Sequence, residues 1–402
     1  MLVEKRGHLG GRAYSFADPV NGLMIDNCQH VLLGCCSEAV DFLRRIGSLE
    51  LIEFTDCITL IDTSSMLMRL RASPLPAPYH AVSSLLRGCY LSVREKAALV
   101  RVLIGLRANV PAPGISAADY LRDMAVPNSL VRKLFEPILV SALNETSSEA
   151  DAFLAREMLK KLLFESRHGC SIGVPRVPLV DIFDLPARRL IEHHGGEVRM
   201  RTGVAGLELC GDRVTRLAFD NGDSLDCDYC VSAVAPTALE SIGLATAAAR
   251  AIAWRPIVAA HLYFDGDGGE FDRACLTDEP FGWVFNKSRD FARAPGYFQA
   301  VASAADDIMG AGKEEITRLA ARAVVRAVPE LKQSKLIRAV ISREARATFA
   351  TRSAAGGVRP HAEASIRNLF LAGEWTDTGW PATIEGAVIS GRRAAQALLA
   401  RL

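Results

Sequence analysis

No apolar run in the 402 residues approaches the length of about 18 that a membrane-spanning helix needs. Neither sign of charge prevails. The 47 basic and 46 acidic side chains leave a formal net charge of +1, which excludes the basic surplus of a nucleic-acid binder. Internal repeats and low-complexity tracts are absent, so solenoid and tail-like architectures are excluded. The ten cysteines lack the paired spacing of a disulfide framework and read as reduced, largely buried thiols. Cys227 and Cys230 form one C-x-x-C, but it sits in a strand-like stretch with no second pair, so no metal site is expected. A G-x-G-x-x-G turn occurs nowhere.

What is present is half hydrophobic, and its length suits two intimate domains that each bury a core. The richest stretch is LFLAGEWTDTGWPATIEGAVISGRRAAQALL, residues 369–399. It reads as a short apolar strand, then Gly373 and Glu374, a turn, and a helix expected to start near Pro381. Small residues at Ala382, Gly386, Ala387, Ser390 and Gly391 predict a slim helix whose first-turn amides a large anionic group can approach. Near the other end, LVEKRGHLGGRAYSF (residues 2–16) places an acid, Glu4, at the close of a strand. In dinucleotide folds such an acid accepts hydrogen bonds from ribose hydroxyls. Gly10 and Gly11 let a backbone approach a pyrophosphate, and Arg12 brings a matching charge.

Together these segments resemble the flavin-containing amine oxidase and phytoene desaturase superfamily. Within it the chain is most similar to the squalene-associated FAD-dependent desaturases, also described as hydroxysqualene dehydroxylases. The narrower resemblance rests on GGRAYSF (10–16), DNCQHVLLGC (26–35), DFLRRIG (41–47), GWVFNK (282–287), RATFA (346–350) and AGEWTDTGWPATIEGAV (372–388). Cys28 stands where that pattern leads one to expect glycine. The family opens with a strand, a G-x-G-x-x-G turn and a helix, whereas this chain opens in the following strand. The expectation is therefore that a unit of roughly 30 residues is missing and that FAD binding by the chain as written is weak.

The resemblance implies an α/β fold: an FAD-binding Rossmann-like domain, truncated at its N-terminus, interleaved with an α+β substrate domain. The expected FAD-binding parts are residues 1–50, 195–254 and 346–402, and the substrate-binding parts are 51–194 and 255–345. Strands are expected over 52–72, 197–201, 204–209, 213–219 and 224–234, with a turn at 220–223. Helices are expected over 92–107, from a Ser116–Asp119 capping pattern, over 148–164, over 179–194 up to Gly195, and near 313–328.

FAD is the implied cofactor. Its implied contacts are Glu4, Gly10, Gly11, Arg12, Val204 near the adenine, Gly373, Glu374, Thr383, Ile384, Glu385 and Gly386. The implied partner is an isoprenoid lipid, handled by a cytoplasmic protein that touches a membrane peripherally; the mix of apolar residues with Arg94, Lys96, Arg101 and Arg107 fits either that contact or an ordinary surface helix. Loss of an allylic hydroxyl needs a proton donor, and His30 is the candidate, oriented by Gln29 or Asp26; the alternative is that all three form a structural polar cluster. Trp283, Trp375 and Trp380 are candidate walls of the site, and Arg346 a candidate neighbour of the flavin. Reductive dehydroxylation of hydroxysqualene to squalene is the expected reaction. Carotenoid desaturation, amine oxidation, or an inactive remnant without FAD are the alternatives.

Overall fold

The strand Trp254–Phe264 carries two faces. Val258, Ala260, Leu262 and Phe264 alternate with Ala259, His261 and Tyr263. In the computed structural model, which describes residues 1–402 except 63, 245–246, 291–293 and 352–358, this strand is the second of a seven-stranded sheet. The order is Leu336–Phe349, Trp254–Phe264, Tyr297–Ala302, Trp283–Asn286, Arg273–Leu276, Cys57–Ile61 and Leu67–Arg71. All neighbours are antiparallel except Arg273–Leu276 with Cys57–Ile61. Helix Lys313–Ala327 buries Ile316, Ala320, Ala323 and Val324 on the face formed by Val258, Ala260, Leu262 and Phe298. The opposite face receives residues 25–29. Ile25 packs on Tyr263 and Tyr297, and Cys28 on Ala259, Phe285 and Val301.

A second region is built from short parallel pairs. Leu2–Glu4 pairs with Val198–Met200, and Cys230–Ser232 with Leu369–Leu371. Beside them the meander Val204–Cys210, Arg213–Phe219 and Ser224–Asp226 turns at Gly222, whose φ of +89° suits the expected hairpin. The stretch expected as one strand over 224–234 is two, because the chain leaves the meander after Cys227, whose amide still donates to the Thr215 carbonyl at 3.1 Å, before Cys230 joins Leu369. Strand Leu336–Phe349 runs unbroken through residues 345 and 346, where a domain boundary was expected.

A third region is helical. Val93–Ala108 is capped by Ser92 and Glu95 in a reciprocal capping box. Ser116 accepts from the Asp119 amide to open Ala117–Asp123. The helix expected from residue 148 starts instead at Ala152, because Asp151 accepts the Leu154 amide at 2.9 Å and so sets the first turn. It ends in a π-turn over Lys161–Glu165. Leu60 and Cys275 bring this helical core against the edge of the large sheet.

Candidate active site

The C-terminal helix begins at Ile384 rather than near Pro381. Thr383 is its N-cap and its hydroxyl accepts the Gly386 amide at 3.1 Å, which fixes the first turn three residues beyond the proline. The N–H groups of Ile384 and Glu385 are ones the helix itself cannot pair. Gly386 also has a structural reason to be small. A Cβ there meets the Pro381 carbonyl oxygen at 2.9 Å, so the glycine lets the preceding loop fold onto its own helix. The Ser390 hydroxyl donates to the Ala387 carbonyl at 2.6 Å and accepts the Gly373 amide at 2.7 Å, which ties strand to helix.

The two terminal motifs meet. The Arg12 guanidinium pairs with Glu374 and donates to the Ala347 carbonyl at 2.8 Å. Gly373 has φ +127° and Gly10 φ +107°, and a Cβ at Gly10 meets the Ala13 carbonyl oxygen at 2.5 Å, so only glycine fits either turn without strain. Gly11, at φ +60°, faces open space. Glu4 closes its strand with one carboxylate oxygen on the Arg6 amide at 2.7 Å, and its carbonyl accepts the Thr202 amide two residues before Val204. Glu374, Gly373, Gly386 and the Gly10–Arg12 turn thus share one place, while Glu4 and Val204 share another.

Glu385 is committed differently. Its carboxylate accepts the Glu38 amide at 3.1 Å and the Ala39 amide at 2.6 Å, capping helix Ser37–Ile46, whose own N-cap Cys36 makes no side-chain capping bond. Burial pushes its pKa up. Arg359, which sequence reasoning missed, clamps the loop before the C-terminal helix by donating to the carbonyls of Thr376 at 3.1 Å and Trp380 at 2.8 Å. An isolated arginine in a loop gives no sequence signal of that role.

An apolar cavity of about 260 Å³ opens from this junction into the helical region. Gln29, Thr383, Ile384 and Glu385 line one end, and Leu85, Leu99, Leu134, Met158 and Leu159 the other. Trp283 and Trp380 are walls of it. Trp375 is not: it is buried against Leu371 and Phe349, with its indole N–H on the Val234 carbonyl. Arg346 reaches the junction through its carbonyl, which accepts from Arg12 at 3.2 Å, and its side chain is exposed. Trp283 stacks on Phe285 and donates its indole N–H to Ser141 at 2.7 Å. It divides the apolar cavity from a neighbouring cleft of about 330 Å³ that carries Arg132, Glu136, Asp278 and Asp307.

His30 is half-buried and is not among the cavity walls. Its Nδ1 lies 3.1 Å from the Cys28 carbonyl and so carries the proton there, leaving Nε2 an acceptor in the neutral ring. Burial lowers its pKa. Neither expected partner orients the ring. Asp26 accepts from Ser15 at 2.7 Å and from the Leu179 amide at 3.0 Å. Gln29 donates to the His30 carbonyl and accepts from Lys287 at 2.8 Å. Lys287 is fully buried, 2.7 Å from Asp290, which also pairs with Arg176. Its motif is visible in the sequence, but nothing there distinguishes a buried lysine from a surface one. Cys28, where glycine was expected, fits against the small Ala259, and burial pushes its thiol up to about 12.

The donor set suits a flavin. Unpaired first-turn amides and the open Gly11 turn favour anionic oxygens. Asn27, whose amide N–H₂ donates to the Arg12 carbonyl, keeps a buried side-chain oxygen without a partner beside the same turn, an acceptor for a hydroxyl or imide N–H.

A family model for flavin containing amine oxidoreductases matches residues 1–399. A hydroxysqualene dehydroxylase of Rhodopseudomonas palustris is 30% identical, with 97% of this chain and 90% of that protein covered. One from Sinorhizobium fredii is 29% identical, covering 99% and 92%. A 15-cis-phytoene desaturase of Solanum lycopersicum is 20% identical, covering 99% and 73%. Among solved structures, an oxidoreductase from Methanosarcina mazei superposes with a TM-score of 0.73 at 14% identity, covering 98% and 93%, and putrescine oxidase bound to putrescine with 0.70 at 13%, covering 99% and 93%. These likenesses bear out the α/β fold, and the chain belongs to the flavin-containing amine oxidoreductase family.

Proposed function

We propose that the chain is an FAD-dependent oxidoreductase that reductively removes the hydroxyl group of hydroxysqualene to give squalene, a step toward hopanoids. The observation that carries this reading is the cavity: its wall is mostly apolar, and one end is lined by Thr383, Ile384 and Glu385, three of the residues proposed here to contact the cofactor. The dehydroxylases at 30% and 29% identity support the same reading.

Glu4 and Val204 would hold the adenosine end of FAD. Gly10, Gly11 and Arg12, with Gly373, Glu374 and the Thr383–Gly386 turn, would hold the remainder. Bound there, reduced FAD supplies a hydride. The chain's own residues do the rest. The aliphatic wall binds the polyene and excludes water. The C–O bond breaks, a C–H bond forms, and the departing hydroxide takes one proton to leave as water. In this reading His30, which lies outside the cavity wall but follows the wall residue Gln29, gives that proton from its charged form. Since burial lowers its pKa from 6.5, that form is scarce at neutral pH, and the rate should rise as pH falls, with a midpoint below 6.5.

The test is anaerobic incubation of the protein with FAD, dithionite and hydroxysqualene, followed by mass spectrometry. Squalene is the expected product, and His30→Ala should flatten the pH dependence while keeping flavin content. No squalene, with phytoene desaturated by the oxidised protein instead, overturns the reading.

A further inference from the structure

Helix Val93–Ala108 has two apolar faces. Ala98, Leu99, Val102 and Leu106 are buried in the helical core, and Leu99 reaches the wall of the cavity. On the outward side Val93, Ala97, Val100 and Ile104 recur at intervals of four, three and four residues and so form one stripe. Val93 is 85% exposed and Ile104 64%. A surface helix ordinarily turns polar side chains to water, so a second apolar stripe implies something that covers it.

The charges say what. Arg94 and Arg101 run along one flank of the stripe, Lys96 and Arg107 along the other. The helix's single acid, Glu95, is buried and paired with Lys133 at 3.3 Å. Two copies pairing through this stripe would set basic rows against basic rows, which is repulsive. An anionic bilayer accepts both the apolar ridge and the cationic flanks. The neighbouring segment adds exposed Leu75 and Tyr79, which lie between the cavity-lining residues Ala72 and Ala81.

We propose that the outward stripe of Val93–Ala108 docks the protein on an anionic membrane surface, with the lipid-binding cavity behind the same helix. The proposal rests on the lipid-substrate reading for its purpose, but its test uses neither substrate nor cofactor, so the two stand or fall separately. Phosphatidylcholine vesicles with and without phosphatidylglycerol are sedimented with the protein. Binding is expected to the phosphatidylglycerol vesicles, released by salt. Val93→Ser/Val100→Ser/Ile104→Ser should weaken it by roughly tenfold or more, and Arg94→Gln or Arg101→Gln by roughly fivefold each. The altered side chains are exposed, and circular dichroism verifies that each variant folds. Equal binding by the variants, or none by the parent protein, overturns the proposal. So does a dimer in light scattering that the triple substitution abolishes, which would assign the stripe to a second copy.

Discussion

Asp18 is buried, and the arginine that neutralises it lies 320 residues away in sequence. Arg338 donates to one oxygen at 2.7 Å and also pairs with the other, and the Tyr263 hydroxyl donates to that second oxygen at 3.1 Å. The Arg338 bonds hold the carboxyl at about 2 rather than 3.8. A folded value below the unfolded one means the contribution is complete above pH 3.8 and fades as pH falls toward 2. Asp18→Asn should therefore cost about 2 kcal/mol at neutral pH. Urea unfolding should show the gap between the two proteins closing over that acidic window, and a constant gap would refute the ion-pair account. Residues of this kind are illegible in a sequence. Gly10 and Gly373 can be read because their backbone angles demand a residue type, whereas Asp18, Lys287 and Arg359 earn their roles from partners that only the fold assembles.

The C-terminal helix shows what one element does for another. Glu385, in its first turn, caps Ser37–Ile46 across 346 residues of sequence. Glu385→Ala should lower stability by about 1–2 kcal/mol, and Glu385→Gln, which keeps one acceptor, by about half as much. Thermal unfolding measures both, and an alanine variant as stable as the parent would show that the cap contributes nothing. Helix type and order were legible from periodicity and capping residues, as at Ser92 and Ser116. Starts were less so, because a cap one to three residues further on outcompetes the first plausible one. Asp151 does this to residue 148, and Thr383 to Pro381. The motif residues were also legible as a set, yet Glu385 and Gly386 turn out to serve neighbouring backbone as well.

At the scale of the molecule, residues near the two ends hold each other in place. Removing residues 384–402 deletes the Glu385 cap and the Ser390 tie to Gly373, and exposes Phe370 and Ala372, which pack beside Ala394. Limited proteolysis of that truncated chain should yield early cuts within residues 1–50, at the opposite end of the sequence from the deletion. Cuts confined to the new C-terminus would show that the two regions are independent.

The 362-residue separation of Arg12 from Glu374 has a consequence during synthesis. At roughly 5–20 residues per second, the ribosome needs roughly 20–70 s to pass from one to the other. Through that interval Leu43, Ile46 and their neighbours have emerged, while Ile384 and Val388, against which their cluster closes, do not yet exist. The half-made protein thus holds that apolar surface open to water, and its yield in a cell should depend on how well the surface is shielded more than the stability of the finished molecule suggests.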